Sequence, residues 1–299
     1  MSKVVKIKRG LDIKLRGKAE KIFIKASPDG FYGVKPPDFH GIVPKLDVSV
    51  GQEVIAGTQL FHDKSRPEMI LTSPVSGIVK SVNRGARRRI LEVVIEKTGD
   101  DISYETFAKG NPLEMTREEV VSNLLKSGLW PTIRQRPYDI IANPDNNPKS
   151  IFISAFDTAP LAPDYDFVVK ESDVEFQTGI NVLTKLTEGK IHLNIDAAYP
   201  ASLVFRNAEN VQLNSFAGPH PAGNVGIQIH HIDPINKGDI IWYVSPQDVI
   251  TMGRLFLNGI YDASKVIALC GSEVLNPRYF KLISGSSISN IVKDNLTEA

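Results

Sequence analysis

Apolar and polar positions change period twice along the chain. From His40 to Lys97, short apolar runs alternate with glycine turns at roughly eight-residue spacing. The runs are Val48 to Val54, Ala56 to Phe61, Thr72 to Val79 and, past Asn83-Arg-Gly85, Leu91 to Glu96. Strands this short with turns this frequent predict a small all-β barrel or sandwich. After residue 110 the pattern becomes mixed. Thr116 to Gly128 predicts a helix, with Thr116-Arg-Glu-Glu119 as a capping box, Leu124 and Leu125 apolar, and Gly128 as the stop. Ser150 to Phe156 predicts a buried strand, and Asp157-Thr-Ala-Pro-Leu-Ala-Pro163 its loop. Phe176 to Leu186 is helical in period and ends at Gly189. Lys190 to Ile195, Val211 to Phe216 and Asp239 to Val244 predict further strands. A helix follows from about Pro246 to Asn258, then a fifth strand from Lys265 to Leu269. Strands alternating with helices predict a layered, mostly parallel α/β domain.

The flanks are less regular. Lys3 to Ile24, broken at Gly10 and Gly17, predicts two edge strands, and Pro28 to Pro37 a turn-rich connection. Gly271 to Phe280 and Ile283 to Val292 read as the start of a further β module that stops before a core can close. The expected divisions are 1–39 (strands and connection), 40–109 (β domain), 110–262 (α/β domain) and 263–299 (start of the last module).

Composition narrows the function classes. A chain of 299 residues accommodates two or three domains, and 42% hydrophobic with 23% charged residues is ordinary for a globular protein. A net charge of +1 gives no global field toward nucleic acid or an anionic membrane. Arg84 to Arg89 is a local basic run, read either as a solvated hairpin tip or as a dock for an acidic partner or lipid headgroups. Cys270 is the only cysteine, which excludes an internal disulfide and a Cys-ligated cluster built from this chain alone. Following Val266 to Leu269, it is expected to be a buried thiol. No apolar stretch reaches the ~20 residues that cross a bilayer, and the N-terminus has no signal core. The expectation is a cytoplasmic chain that meets a membrane only through a partner.

The densest special loop is Ser215-Phe-Ala-Gly-Pro-His-Pro-Ala-Gly-Asn-Val-Gly226, set between a strand and a helix start. That is where α/β folds aim backbone N–H groups at a ligand. It contains neither Gly-x-Gly-x-x-Gly nor Gly-Lys-Ser/Thr, so it names no nucleotide.

Three family resemblances follow. Residues 40–109, with Val48-Ser-Val-Gly-Gln-Glu-Val54 and Thr72-Ser-Pro-Val-Ser-Gly-Ile-Val79, resemble the biotinyl/lipoyl barrel-sandwich hybrid. Lys64 occupies the hairpin where that fold carries its modified lysine. The hairpin is long, contains Pro67 and lacks a Met-Lys pair, so the expected role is a scaffold rather than a carrier. Over nearly its whole length the chain resembles the A subunits of sodium-translocating NADH:quinone oxidoreductases (Na+-NQR). The matching motifs include Lys8-Arg-Gly-Leu-Asp12, Ser127-Gly-Leu-Trp130, Arg134-Gln-Arg-Pro137, Ala155-Phe-Asp-Thr-Ala-Pro-Leu-Ala162 and Gly218-Pro-His-Pro-Ala-Gly223. The resemblance implies a peripheral subunit on the cytoplasmic face of the bacterial inner membrane, within a complex that has five other subunits. That complex takes electrons from NADH, exports sodium, and reduces ubiquinone or menaquinone in a membrane-embedded subunit. The resemblance also implies that residues 263–299 begin a β-grasp (SLBB-like) module.

The α/β domain further resembles the Rossmann-like FMN-binding subunit of respiratory complex I, whose Gly-rich loop approaches the flavin phosphate. Here that place holds Gly128-Leu-Trp-Pro-Thr-Ile-Arg-Gln-Arg-Pro137, with one glycine, and with Trp130, Pro131 and Ile133 crowding it. FMN is therefore not expected, and a soluble FMN-binding NADH dehydrogenase is the competing reading. Trp130, Arg134, Arg136 and Pro137 are candidates for a quinone or partner surface, an aromatic plane beside guanidinium donors suiting a quinone ring. His220, held between two prolines, is a candidate proton or hydrogen-bond donor to a quinone oxygen. For each, the competing reading is structural. Adjacent His230 and His231 do not share a helix face, so no metal pair is expected. Asp157 and Asp248 read as caps of a loop and a helix start.

Overall fold

The computed structural model describes residues 4–26 and 29–297. Lys3 and Pro28, which begin two of the expected segments, lie outside them.

The first β unit is two antiparallel sheets facing each other. One has the order Phe31–Val34, Ile90–Lys97, Gly77–Arg84, Glu53–Val54, and the other Pro44–Leu46, Gln59–Asp63, Ile70–Thr72. Leu60, Phe61, Val75, Val79, Val93 and Ile95 fill the space between them. Alternation turns Val93 and Ile95 inward, and a register shift between Gln59 and Phe61 lets the consecutive Leu60 and Phe61 both reach the core. Arg84 to Arg89 is an exposed hairpin tip, with Arg87 and Arg88 at positive φ. Lys64 is exposed in the hairpin between Gln59–Asp63 and Ile70–Thr72.

The α/β unit contains a seven-stranded sheet. Its order is Val5–Lys6, Gln212–Ala217, Lys190–Asp196, Ser150–Ser154, Ile241–Tyr243, Arg134–Arg136, Ile140–Ile141. The first five of these run parallel, and the last two form an antiparallel hairpin on the edge. Helices Asp173–Thr184 and Pro246–Asn258 pack on one face so closely that a Cβ on Gly253 would stand 1.8 Å from the Glu175 carbonyl oxygen. Helix Val225–Ile232 covers the other face through Ile229 on Phe152 and Ile241. Cover on both sides explains why Ile151, Phe152 and Ile153 are apolar and buried at successive positions rather than alternating. Helix Arg117–Lys126 carries the expected capping box, with the Thr116 hydroxyl accepting the Glu119 amide and the Glu119 carboxylate accepting the Thr116 amide. Gly128 closes it at φ +76°.

Ser264–Leu269, the fifth strand read after residue 110, falls past the division expected at 262 and does not join the α/β sheet. It pairs antiparallel with Arg278–Ile283, which pairs parallel with Glu20–Lys25 in a separate sheet. The sheet edge beyond Ile241–Tyr243 is taken by the Arg134–Arg136 hairpin. Residues 1–39 supply strands to other units. Their described strands divide among three sheets, at Val5–Lys6, Glu20–Lys25 and Phe31–Val34. Long-range pairing of short strands, which local periodicity does not encode, decides both outcomes.

Candidate functional site

The Gly218–Gly223 loop leaves the C-terminal end of a parallel strand, on the rim where open α/β sheets bind ligands. Its glycines are needed for close approach. At φ +133°, Gly218 lies where a Cβ would meet the Ile7 carbonyl oxygen at 2.1 Å, and a Cβ on Gly223 would meet the Thr158 amide at 2.5 Å. The His220–Pro221 peptide is cis. The His220 amide donates to the Asp12 carboxylate at 2.8 Å, its carbonyl accepts the Leu11 amide at 3.0 Å, and its Nδ1 lies 3.1 Å from the Thr158 hydroxyl. Thr158 Oγ1 also accepts the Gly223 amide at 2.9 Å. Backbone and ring are thus held from two sides, by the N-terminal segment and by the Asp157–Pro163 loop. Asp157 caps that loop by accepting the Ala159 amide.

Beneath the loop runs a buried polar chain. Gln228 Nε2 donates to the Ser154 hydroxyl at 2.8 Å and to the Ala222 carbonyl at 3.2 Å. Gln228 Oε1 accepts from Asn194 Nδ2 at 2.9 Å, and Asn194 Oδ1 accepts from Asn214 Nδ2 at 2.8 Å. His192 Nδ1 stands 3.3 Å from the same Asn214 nitrogen. Burial holds the imidazole pKa down to about 4, against a small opposing pull from Asp233. Buried amides satisfied end to end fix one loop geometry, because a single missing partner leaves a costly orphan. The sequence carried a signal for these residues that composition and motif reading passed over. His192 and Asn194 interrupt the apolar Ile191, Leu193 and Ile195.

The second candidate group divides. Trp130 is fully buried, meets Trp242 edge to face at 5.6 Å, and donates its indole N–H to the Ala142 carbonyl at 2.8 Å. Its ring has no face open to a ligand, because the turn Trp130–Thr132 points it into the core beneath helix Arg117–Lys126. The arginines do form a surface. Arg134 donates to the Asp139 carbonyl at 2.6 Å and lies 3.3 Å from its carboxylate, and the Arg136 guanidinium sits 5.1 Å over the Tyr243 ring. The Tyr243 hydroxyl donates to Asp139 at 2.6 Å. Burial pushes the Asp139 carboxyl upward, but the Tyr243 hydroxyl and the two guanidinium groups outweigh it and hold the pKa below the usual value. Both Nε atoms, of Arg134 and Arg136, are buried with no hydrogen-bond partner. Pro137, after a cis peptide, is exposed at the tip.

The two groups are far apart. Arg136 pairs with Ile241, which pairs with Ser150, at the N-terminal end of the parallel strands. His220 lies beyond their C-terminal end, four strands across the sheet, which at ~4.8 Å per strand is about 19 Å in width alone. Arg134, Arg136 and Pro137 make one patch, His220 belongs to another, and Trp130 to neither.

The remaining candidates are quickly placed. His230 and His231 sit edge to face on one helix, and His231 Nδ1 faces the Ile227 carbonyl. Among the described residues no cluster of three or more His, Cys, Asp or Glu is arranged to hold a metal. Ser245 is the N-cap of Pro246–Asn258, and Asp248 sits three residues on, accepting from the Ser245 hydroxyl and pairing with Lys265. Cys270 is half-buried, its thiol pKa raised by burial. Five amides of the turn after helix Arg117–Lys126, those of Ser127, Gly128, Leu129, Thr132 and Ile133, donate to carbonyls of that same helix end and turn. An open cleft of about 810 Å³ lies where all three units meet, walled by Tyr32, Phe23 and Ile250. Its cations are Lys25, Lys97, Lys170, Arg254, Lys265 and Lys281, against the acids Asp100 and Asp262.

A barrel-sandwich hybrid, a parallel α/β domain and a third small sheet, in that order, define a multidomain chain of mixed α/β class. Three family models match in succession: the NqrA N-terminal barrel-sandwich hybrid domain over residues 5–98, the NqrA second alpha/beta domain over 115–261, and the NQRA C-terminal domain over 266–299. The chain belongs to the NqrA family. It is 38% identical over 297 residues to the A subunit of the Na(+)-translocating NADH-quinone reductase of Neisseria meningitidis serogroup A, covering 99% of this chain and 66% of that one. The protein of the same name from Pasteurella multocida is 36% identical over 296 residues, again 99% and 66%. The chain thus spans 66% of the length of these relatives. An NAD+-reducing [NiFe]-hydrogenase chain overlaps 66% of this chain and 44% of its own at 12% identity, with a TM-score of 0.41, too low to extend the comparison.

Proposed function

We propose that this chain is the peripheral A subunit of a sodium-translocating NADH:quinone reductase, seated on the cytoplasmic face of the bacterial inner membrane. Its partners are the five other subunits, above all the membrane-embedded one that reduces ubiquinone or menaquinone. The observation that carries this reading is 38% identity, over 99% of the chain, to a protein of that name. Among the described residues no helix is long and apolar enough to cross a membrane, which fits a peripheral seat.

In this reading the chain holds no flavin or iron–sulfur centre. Two features support that. The turn where the related flavin subunits cradle a phosphate directs five amides back to its own helix end and turn. Cys270 alone is too few thiolates for a cluster. No observation favours the soluble flavoprotein reading.

For direct contact with a quinone, the cleft between the three units is the better candidate than Trp130. Phe23, Ile102, Val168 and Ile250 give it an apolar wall, and Lys25 and Lys170 carry N–H donors for a quinone carbonyl. Restoring the gene to a deletion strain tests the assignment. Sodium-dependent NADH:quinone reduction in the membranes should return with it. Membranes whose activity is the same without the gene would refute the assignment.

A further inference from the structure

Between Lys8 and Arg16 every residue is exposed and none belongs to a helix or strand. The segment is tied at both ends by glycine. A Cβ on Gly10 would stand 2.0 Å from the His220 carbonyl oxygen, and one on Gly17 would stand 2.0 Å from the Gly271 carbonyl oxygen. Hydrogen bonds lie beside both contacts: the Leu11 amide donates to His220 and the Gly271 amide to Gly17. Between these anchors the backbone from Asp12 to Arg16 has no backbone hydrogen bond to the rest of the chain among the described residues. The strap therefore spans from the α/β unit to the third sheet as an unpaired run of main-chain donors and acceptors.

Its side chains are unusual for such a span. Leu11, Ile13 and Leu15 are 70%, 58% and 57% exposed, at alternate positions, the spacing that puts side chains on one face of a strand. Lys8, Arg9, Lys14, Arg16 and Lys18 surround them, and none forms an ion pair among the described residues. The one acid, Asp12, accepts the His220 amide. Edge lysines alone would repel unwanted pairing. Three large apolar side chains between them do the opposite for a strand of opposite charge.

We propose that this strap is a docking strand. An extended, acidic segment of another protein of the same complex, with apolar residues at alternate positions, adds to it through main-chain hydrogen bonds. The proposal rests on reading the chain as one subunit of a larger complex. A lipid surface is disfavoured because an unpaired extended backbone has no way to satisfy its N–H and C=O groups in hydrocarbon. A second copy of the strap is disfavoured because like charges would face each other. Docking here would also press on the His220 loop through Asp12 and Leu11.

The test uses tagged full-length protein expressed with its complex and purified in mild detergent. Leu11→Ser/Ile13→Ser/Leu15→Ser removes the apolar face, and Ile13→Pro removes one main-chain donor without altering charge. Both should reduce co-purified subunits at least tenfold while the thermal melt of the isolated chain stays unchanged. A photo-crosslinker at position 13 should capture an acidic segment of one of those partners. Wild-type co-purification that both variants leave intact would overturn the docking strand but not the proposed function. Wild type that brings no subunits with it would overturn both. Binding to phosphatidylglycerol vesicles that the triple variant abolishes, with co-purification unaffected by Ile13→Pro, would show a membrane contact and overturn the proposal.

Discussion

His192 and Asn214 sit on neighbouring parallel strands with the imidazole Nδ1 3.3 Å from the amide nitrogen. A donating Asn214 amide there pairs with the neutral ring that carries its proton on Nε2. Burial keeps it so by lowering its pKa from the usual value to about 4. Between about 6.5 and 4 the unfolded chain binds a proton at this residue and the folded chain does not. The stabilisation is present above pH 6.5 and is lost as pH falls toward 4, at up to about 1.4 kcal/mol per pH unit. Urea melts across that range should show a flatter acid limb for His192→Gln than for wild type.

Trp130→Ala should destabilise by about 3–5 kcal/mol, because it empties a fully enclosed site and removes the edge-to-face contact with Trp242. The check is equilibrium unfolding. Loss of any ligand by this variant would then report the fold, and ligand tests belong on Lys25 or Lys281 in the cleft instead.

Gly10→Ala forces a Cβ onto the His220 carbonyl and asks a side chain to adopt φ +156°. The expected cost is more than about 1 kcal/mol. It should be local, with the N-terminal strap cut faster in limited proteolysis while the barrel core keeps its protection.

Tyr243→Phe deletes the hydroxyl that donates to Asp139. The Asp139 carboxyl pKa should rise toward the ordinary value, since that hydroxyl is the largest of the influences holding it down. Asp139 contributes stability above the usual carboxylate pKa and loses it as pH falls through its lower folded value. The variant should lose that contribution at a higher pH. A carboxyl-carbon NMR titration of Asp139 measures the shift directly.

Local features were legible in the sequence. The Thr116–Glu119 box and helix Pro246–Asn258 follow from residues within a few positions of one another, and both stand as read. The Gly218–Gly223 loop was legible as special because its glycines and prolines answer to backbone geometry. Trp130 was not legible as core. Its neighbours Arg134 and Arg136 are polar and partly exposed, and only the pairing of Arg134 with Tyr243, more than a hundred residues away, shows which way the turn faces. The buried amides of Asn194, Asn214 and Gln228 meet across three separate elements, and no local window contains them. Ser264–Leu269 was recognised as a strand, but its pairing with Arg278–Ile283 and, through that strand, with Glu20–Lys25 lies outside any local window.

The most direct test is to purify the tagged chain from membranes in mild detergent, and separately by itself, and to assay both for NADH:quinone reduction and flavin absorbance. The membrane preparation should show sodium-stimulated reductase activity, with the isolated chain colourless and inactive toward NADH. An isolated chain that is yellow and oxidises NADH without partners would contradict the assignment as a cofactor-free subunit.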